Sequence, residues 1–533
     1  MFKGGIFMKK SFLLVLLLPA LVHAADNFIF CTEGSPSSFN PQIVTDGTSM
    51  NASSQTMFNR LVEFKPGTTE VMPSLAESWT ISKDRKSYTF KLRKGVKFHS
   101  NAAFTPSRDF NATDVVYTFK TQLDPKNPLS IPAASYDYFK AMELDQLIAD
   151  VKKTDDYTVV FELKHPESPF LANLGMDFAS ILSEEYAQSL VKSGKGLKTL
   201  ETAPIGTGPF TFKSYQKDST IKFAANPTYW KGKPKIENLI FVIVTDSTVR
   251  TQKMKSGECH IMSEVQPQDI EALSKNPAVK IQTAAGLNIA YIAFNVEKKP
   301  FDNLKVREAI SLALNQKSYI DVIYKAQGMA AKNPIPPTMW SYNNKTVASV
   351  YDVEKAKKLL AEAGLKDGFE TELWTMPVAR PYLPNGKKLG ELVQADLAKI
   401  GVKVKLVTFD WPTYLEKSKK GDHQMIEFGW TGDNGDPDNF MNVLLGCTAV
   451  KNGSNYARWC DKEFDTLLQQ AKEESAVAKR TSLYMKAQDI FAKQKPWYPV
   501  AHSKQNKVMS AKVQGYKISP LGNENFEAVS LSK

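Results

Sequence analysis

Three carboxylates, Asp433, Asp436 and Asp438, stand among glycines and a proline in the stretch FGWTGDNGDPDNF, residues 428–440, walled by Phe428, Trp430 and Phe440. Asp, Asn, Gly and Pro form turns for local backbone reasons, so a solvated loop would account for the composition alone. Acids set beside aromatic rings can also do one kind of chemistry, which is to hold a cation. A calcium loop fits poorly, because the twelve-residue pattern of oxygen ligands ending in glutamate is missing.

Reaction chemistry finds little support elsewhere in the chain. There is no Gly-x-Ser-x-Gly elbow, no His-Glu-x-x-His helix and no Walker phosphate loop. Gly206-Thr207-Gly208 is half a dinucleotide fingerprint, followed by Pro209-Phe210, and reads as a turn entering a strand. The six histidines (His23, His99, His165, His260, His423, His502) are scattered singly. The cysteines contain no Cys-x-x-Cys pair, which argues against zinc. No Arg-rich segment with interleaved aromatics is present, so nucleic acid is not an expected partner. The chain reads as a binder and not an enzyme. An exported peptidase is the enzymatic alternative, without a nucleophile or zinc motif to carry it.

Lys9 and Lys10 precede an apolar run from Phe12 to Val22 that ends in His23-Ala24-Ala25. This is the pattern of a secretory signal, predicted to be cut after Ala24, with Met8 as an alternative start. No cysteine stands at the cleavage point, so no lipid anchor is expected. The remaining 509 residues call for two to four domains. The signal carries Lys3, Lys9 and Lys10 and no acid, so the formal net charge of +12 falls to +9 in the mature chain. That is a modest, dispersed basic surface. The four cysteines, Cys31, Cys259, Cys447 and Cys460, predict two disulfides in an oxidising compartment, with three pairings open. A Cys447–Cys460 loop would contribute about 3 kcal/mol on the chain-entropy account.

The elements that must position these residues follow from periodicity. Leu287–Phe294 is nearly all apolar and reads as a buried strand. Helical spacing follows at Val306, Ala309, Ile310, Ala313 and Leu314 behind the caps Asp302 and Asn303, and again from Val353 to Ala363 behind Asp352. Val402–Val407 alternates as a strand. This rhythm predicts an α/β unit in the second half. Between about 60 and 200 the pattern differs. Ser87–Leu92 and Val96–Phe98 flank Lys94-Gly95 as a hairpin, and Thr158–Leu163 reads as a further strand, predicting a smaller α+β domain.

Several stretches together resemble the extracytoplasmic solute-binding proteins of peptide permeases, family 5. They are PSLAESW (73–79), YTFKLRKGVKFH (88–99), NATDVV (111–116) and PIGTGPF (204–210). The segments CTEGSP (31–36), FNPQ (39–42), MPVARPY (376–382) and GWTGDNGDPDNF (429–440) are similar to the dipeptide binders of that family. The resemblance implies an α/β fold of the type II periplasmic binding-protein kind, with two lobes, a hinge and an extra α+β domain. After the signal peptide, 1–24, it implies a discontinuous first lobe (25–57, 208–285 and 504–533), the extra domain (58–207) and a second lobe (286–503). It also implies the pairings Cys31–Cys259 and Cys447–Cys460.

By the same resemblance, Asp433 takes a dipeptide's α-ammonium and Arg380 its α-carboxylate. Trp430, Thr431, Gly432, Trp411 and Tyr382 are the further candidate pocket residues, with ordinary core packing as the alternative for the three aromatics. A guanidinium fork suits a carboxylate through two parallel N–H bonds. Gripping both termini measures length, since one residue more adds about 3.3–3.6 Å, while side chains in wet pockets remain free to vary. The expected partners are a dipeptide, an inner-membrane ABC permease and a chemoreceptor. The protein is expected to be a periplasmic monomer that needs no cofactor. Haem or glutathione in the same cleft is the alternative, with His423 the histidine nearest the site in sequence.

Overall fold

The computed structural model describes residues 1–2, 27–452 and 454–532. Apart from its first two residues, the predicted signal segment lies outside the described residues.

The apolar run at 287–294 forms a strand over Asn288–Phe294, and every residue of it is buried. Both its edges are occupied in antiparallel fashion, by Met425–Thr431 on one side and Trp497–Ser510 on the other. Glu370–Trp374 and Lys403–Val407 extend this sector in parallel. Parallel neighbours require crossover segments, and the helix Gly386–Ala398 supplies one of them. The predicted helices lie at Leu304–Ala313, where the Asn303 side chain accepts from Lys305 N–H, and at Val353–Glu362, where Asp352 accepts from Lys355 N–H.

Trp497–Ser510 carries the sheet onward. As far as Ala501 it pairs with Asn288–Phe294, and from Lys504 it pairs with Val279–Ala285. Beyond it, in order, come Ile261–Met262, Asn27–Thr32, Asn238–Ile243, Thr220–Ala225 and Phe210–Gln216. Two strands of chain thus pass between the sectors, near 286–287 and near 502–503. Asn288 ties them together: its Oδ1 accepts from Ser503 N–H at 2.8 Å and its Nδ2 donates to Ser503 Oγ at 3.0 Å. The disulfides are Cys31–Cys259, beside the parallel pairing of Asn27–Thr32 with Ile261–Met262, and Cys447–Cys460.

A separate four-stranded antiparallel sheet runs in the order Ala76–Ile81, Ser87–Leu92, Thr158–Leu163, Ile148–Asp155. It corrects the hairpin expected at 87–98. Ser87–Leu92 pairs instead with Ala76–Ile81 before it and Thr158–Leu163 after it. Val96–Phe98 is not a strand, and Val96 uses its carbonyl to accept from Phe110 N–H. The alternation at 96–98 reflects burial of Val96 and Phe98 in the core, not a ladder. The helix Ala112–Leu123 packs on this sheet. It starts with a capping box in which Asn111 accepts from Thr113 N–H and Asp114 accepts from Asn111 N–H. Gly206 and Gly208 have to be glycine, since a Cβ on either would lie within 2.4 Å of Met57 backbone atoms.

Candidate functional site

The strand Met425–Thr431 delivers the acidic turn. Glu427 and Phe428 are buried along it, Trp430 is half-buried, and the chain leaves the sheet as Gly432 N–H donates to Leu287 C=O at 2.7 Å. Gly432 must lack a side chain, because a Cβ there would meet Phe440 and Leu287 at 2.7 and 2.8 Å. The three turn acids then part company. Asp436 accepts from Arg480 at 2.8 Å and from Asp438 N–H at 3.0 Å. Asp438 is buried near Lys472 and Asp436, and burial pushes its carboxyl up to about 7. Asp433 has no cationic partner among the described residues. Its Oδ1 accepts from Tyr138 O–H at 3.0 Å and its Oδ2 from Asn439 Nδ2 at 3.1 Å. Burial pushes its carboxyl up to about 7, and the two hydrogen bonds only partly offset that. A half-buried carboxylate with neutral donors alone is a site that gains from an arriving cation.

Arg380 lies beyond the end of the parallel strand Glu370–Trp374, in a tight turn closed by mutual backbone hydrogen bonds with Leu383 at 3.0 Å. Three neighbours fix that turn. Ser503 Oγ donates to Pro381 C=O at 2.6 Å, and Tyr324 O–H donates to Tyr382 C=O at 2.8 Å. The Tyr382 ring lies against Gly429, where a Cβ would come within 2.2 Å of it. The Arg380 guanidinium sits 4.9 Å from the centroid of the Trp411 ring, a cation–π contact that helps aim it. Trp411 in turn packs on Tyr414 and Phe428.

Arg380 opens on a cleft with about 670 Å³ of empty space, lined also by Glu264, Tyr324, Ser503, Lys507 and Gly522. Gly522, on the wall of that cleft, lies beside Thr431: a Cβ on it would be 3.6 Å from Thr431 Cγ2. Facing Arg380 from the first sector are Glu33 and Glu264. Burial raises Glu33, but hydrogen bonds, one of them from Thr48, and the Arg380 charge leave it below the ordinary carboxylate range. Burial leaves Glu264 raised despite the nearby Lys507 and Arg380 charges.

Trp430, Thr431, Gly432 and Asp433 thus follow one another out of the strand Met425–Thr431, and Arg380 lies against Trp411 with Tyr382 in the same tight turn. His423 belongs to neither. It is fully buried, with Nε2 2.7 Å from Tyr456 C=O and its ring against Trp374. Sequence reasoning missed Tyr138, Asn439, Glu33 and Glu264. Tyr138 is 295 positions from Asp433, and no local pattern ties it there. Asn439 could have been found, since an Asn six residues after an acid in a turn is well placed to bond back.

Residues 70–452 match the profile described as bacterial extracellular solute-binding proteins, family 5 Middle. The chain is 48% identical to the dipeptide-binding protein of Escherichia coli (strain K12), covering 99% of each chain. It is also 48% identical to heme-binding protein A of Haemophilus influenzae, covering 95% of this chain and 92% of that one. The crystal structure of a dipeptide-binding protein from Pseudoalteromonas sp. SM9913 in complex with Met-Leu superposes with a TM-score of 0.91. It is 39% identical and covers 95% of this chain and all of that one.

Proposed function

From its membership of the bacterial extracellular solute-binding proteins of family 5, to which this chain belongs, we propose that it captures dipeptides in the periplasm and hands them to an inner-membrane ABC permease. Asp433 receives the α-ammonium and Arg380 the α-carboxylate. The observation that supports this reading is an acid with no cationic partner among the described residues, held by neutral donors, and a guanidinium that lines a cleft. Hydrogen bonds to charged groups contribute about 1.5–3 kcal/mol each, so each terminus is worth roughly tenfold to a hundredfold in affinity. Ligand held by Asp433 and Arg380 on one sheet sector lets the other sector close over it about the 286–287 and 502–503 crossings, and the closed form is what the permease reads. The protein acts as a monomer and releases its peptide intact.

Calorimetry with Ala-Ala, Ala-Ala-Ala and glutathione tests this directly. Asp433→Asn and Arg380→Ala are expected each to weaken Ala-Ala binding by roughly tenfold to a hundredfold with an unchanged melting temperature. Near-native affinity in either variant would refute its assigned role. Haem is the second reading, favoured by the likeness to heme-binding protein A. It predicts a Soret band when haem is added, and the buried His423 is not available as its axial ligand.

A further inference from the structure

The acidic turn rests on the extra domain as much as on its own lobe. A Cβ on Gly435 would strike Thr69 at 2.4 Å. Asn434 Nδ2 donates to Asn173 Oδ1 at 2.8 Å and also lies 3.4 Å from Met176 sulfur. Asn439 Nδ2, which holds one oxygen of Asp433, is 3.8 Å from Met142 sulfur. Tyr138 holds the other oxygen, and its ring meets that of Trp430 edge-on at 6.4 Å.

We propose that Tyr138, reaching over from the extra domain, is a positioning residue for the ammonium site: its O–H fixes and part-neutralises the Asp433 carboxylate, so that ligand capture depends on that domain's seat against the turn. This rests on Asp433 being the ammonium acceptor. A phenol is a neutral donor with one proton, and this one lies nearer Asp433 Oδ1 (3.0 Å) than Thr45 C=O (3.4 Å), so it steadies the carboxylate without filling the place of the incoming cation. The other charged groups around the pair are acidic. Asp177 faces Asp433, and Asp46 and Asp177 face Tyr138. Asp177 is itself engaged by Gln55 at 2.6 Å and lies 3.8 Å from Arg60. With no cationic partner for Asp433 among the described residues, the Tyr138 hydroxyl is one of two groups whose hydrogen bonds keep Asp433 ionisable near neutrality.

The consequence is proton linkage. Asp433 titrates near pH 7 without ligand, and an ammonium stabilises its charged form. Binding at pH 6 therefore releases about one proton per dipeptide, and affinity rises with pH until the ligand's own amine, near pKa 7.7–8.0, begins to lose its charge. Removing the phenolic O–H moves the Asp433 titration up.

Calorimetry with Ala-Ala between pH 6 and 8 tests this with the wild type and Tyr138→Phe. Ligand ionisation cancels in the ratio of their affinities. For an upward shift of about one pKa unit, that ratio falls from about tenfold at pH 6 to about twofold at pH 8. A role in packing alone would give a ratio independent of pH, and that outcome, or a ratio of one throughout, would overturn the proposal. Replacing Tyr138 by 3-fluorotyrosine keeps the shape and strengthens the donor, so the rising limb should move to lower pH even if Tyr138→Phe folds badly. An unmoved limb would count against the proposal. A wild type that binds no dipeptide would instead refute the ammonium site itself, whereas loss in Asp433→Asn beside a pH-flat Tyr138→Phe would refute only the part given to Tyr138.

Discussion

At the scale of single residues, the site's charges are unevenly matched. Asp433 has only neutral hydrogen-bond donors among the described residues, whereas Arg380 faces the acids Glu33 and Glu264. In the proposed binding mode, an incoming carboxylate is attracted by the guanidinium and repelled by both glutamates. Glu264→Gln is therefore expected to tighten Ala-Ala binding by roughly threefold to tenfold, on the order of 1 kcal/mol for one unit charge near a partly wet surface, measured by calorimetry at pH 7.5. Weaker binding in that variant would mean that Glu264 holds the ligand and does not compete with it. Asp433 and Arg380 could be nominated from the sequence because both sit in segments with resembling motifs, GWTGDNGDPDNF and MPVARPY. Glu33, Glu264 and Tyr138 were not. Each acts on a residue more than a hundred positions away, and only the fold brings it there.

At the scale of elements, the acidic turn is a structured unit. The buried pair Asp436–Arg480, at 2.8 Å, ties it to the helix Val477–Gln494. Arg480→Met leaves a buried carboxylate alone and should lower stability by about 3–5 kcal/mol, read as a drop in the urea midpoint. If the midpoint holds, Asp436 has taken up a proton or found another donor. The nearby Cys447–Cys460 bridge closes a short loop, and Cys447→Ser with Cys460→Ser should cost about 3 kcal/mol, seen as a lower melting temperature with little change in affinity. Elements with one dominant period were read well from sequence: Asn288–Phe294, Val353–Glu362, Lys403–Val407 and Thr158–Leu163 all fall where apolar spacing puts them. The 87–98 hairpin failed because short alternation cannot tell a ladder from a loop that buries two side chains. Trp497–Ser510 escaped notice because its middle, Ser503-Lys504-Gln505-Asn506-Lys507, is polar. Those residues border the cleft beside Arg380, so apolar periodicity is lost there although Ser503, Gln505 and Lys507 are buried.

At the scale of the whole molecule, capture should change the shape. Small-angle scattering is expected to show a smaller radius of gyration when Ala-Ala is added, and Arg380→Ala should abolish that change. An identical scattering curve with and without saturating ligand would place the two sheet sectors in one fixed arrangement. The sharing of Trp497–Ser510 between those sectors reaches further than ligand capture. No fragment that stops short of residue 497 can complete either sheet, so both halves wait for the same late segment. During synthesis from the N-terminus, the chain stays open-edged until that segment emerges, and its long-range pairings make consolidation slow. In the proposed periplasmic role, a chain that crosses a membrane before folding is well served by such a delay.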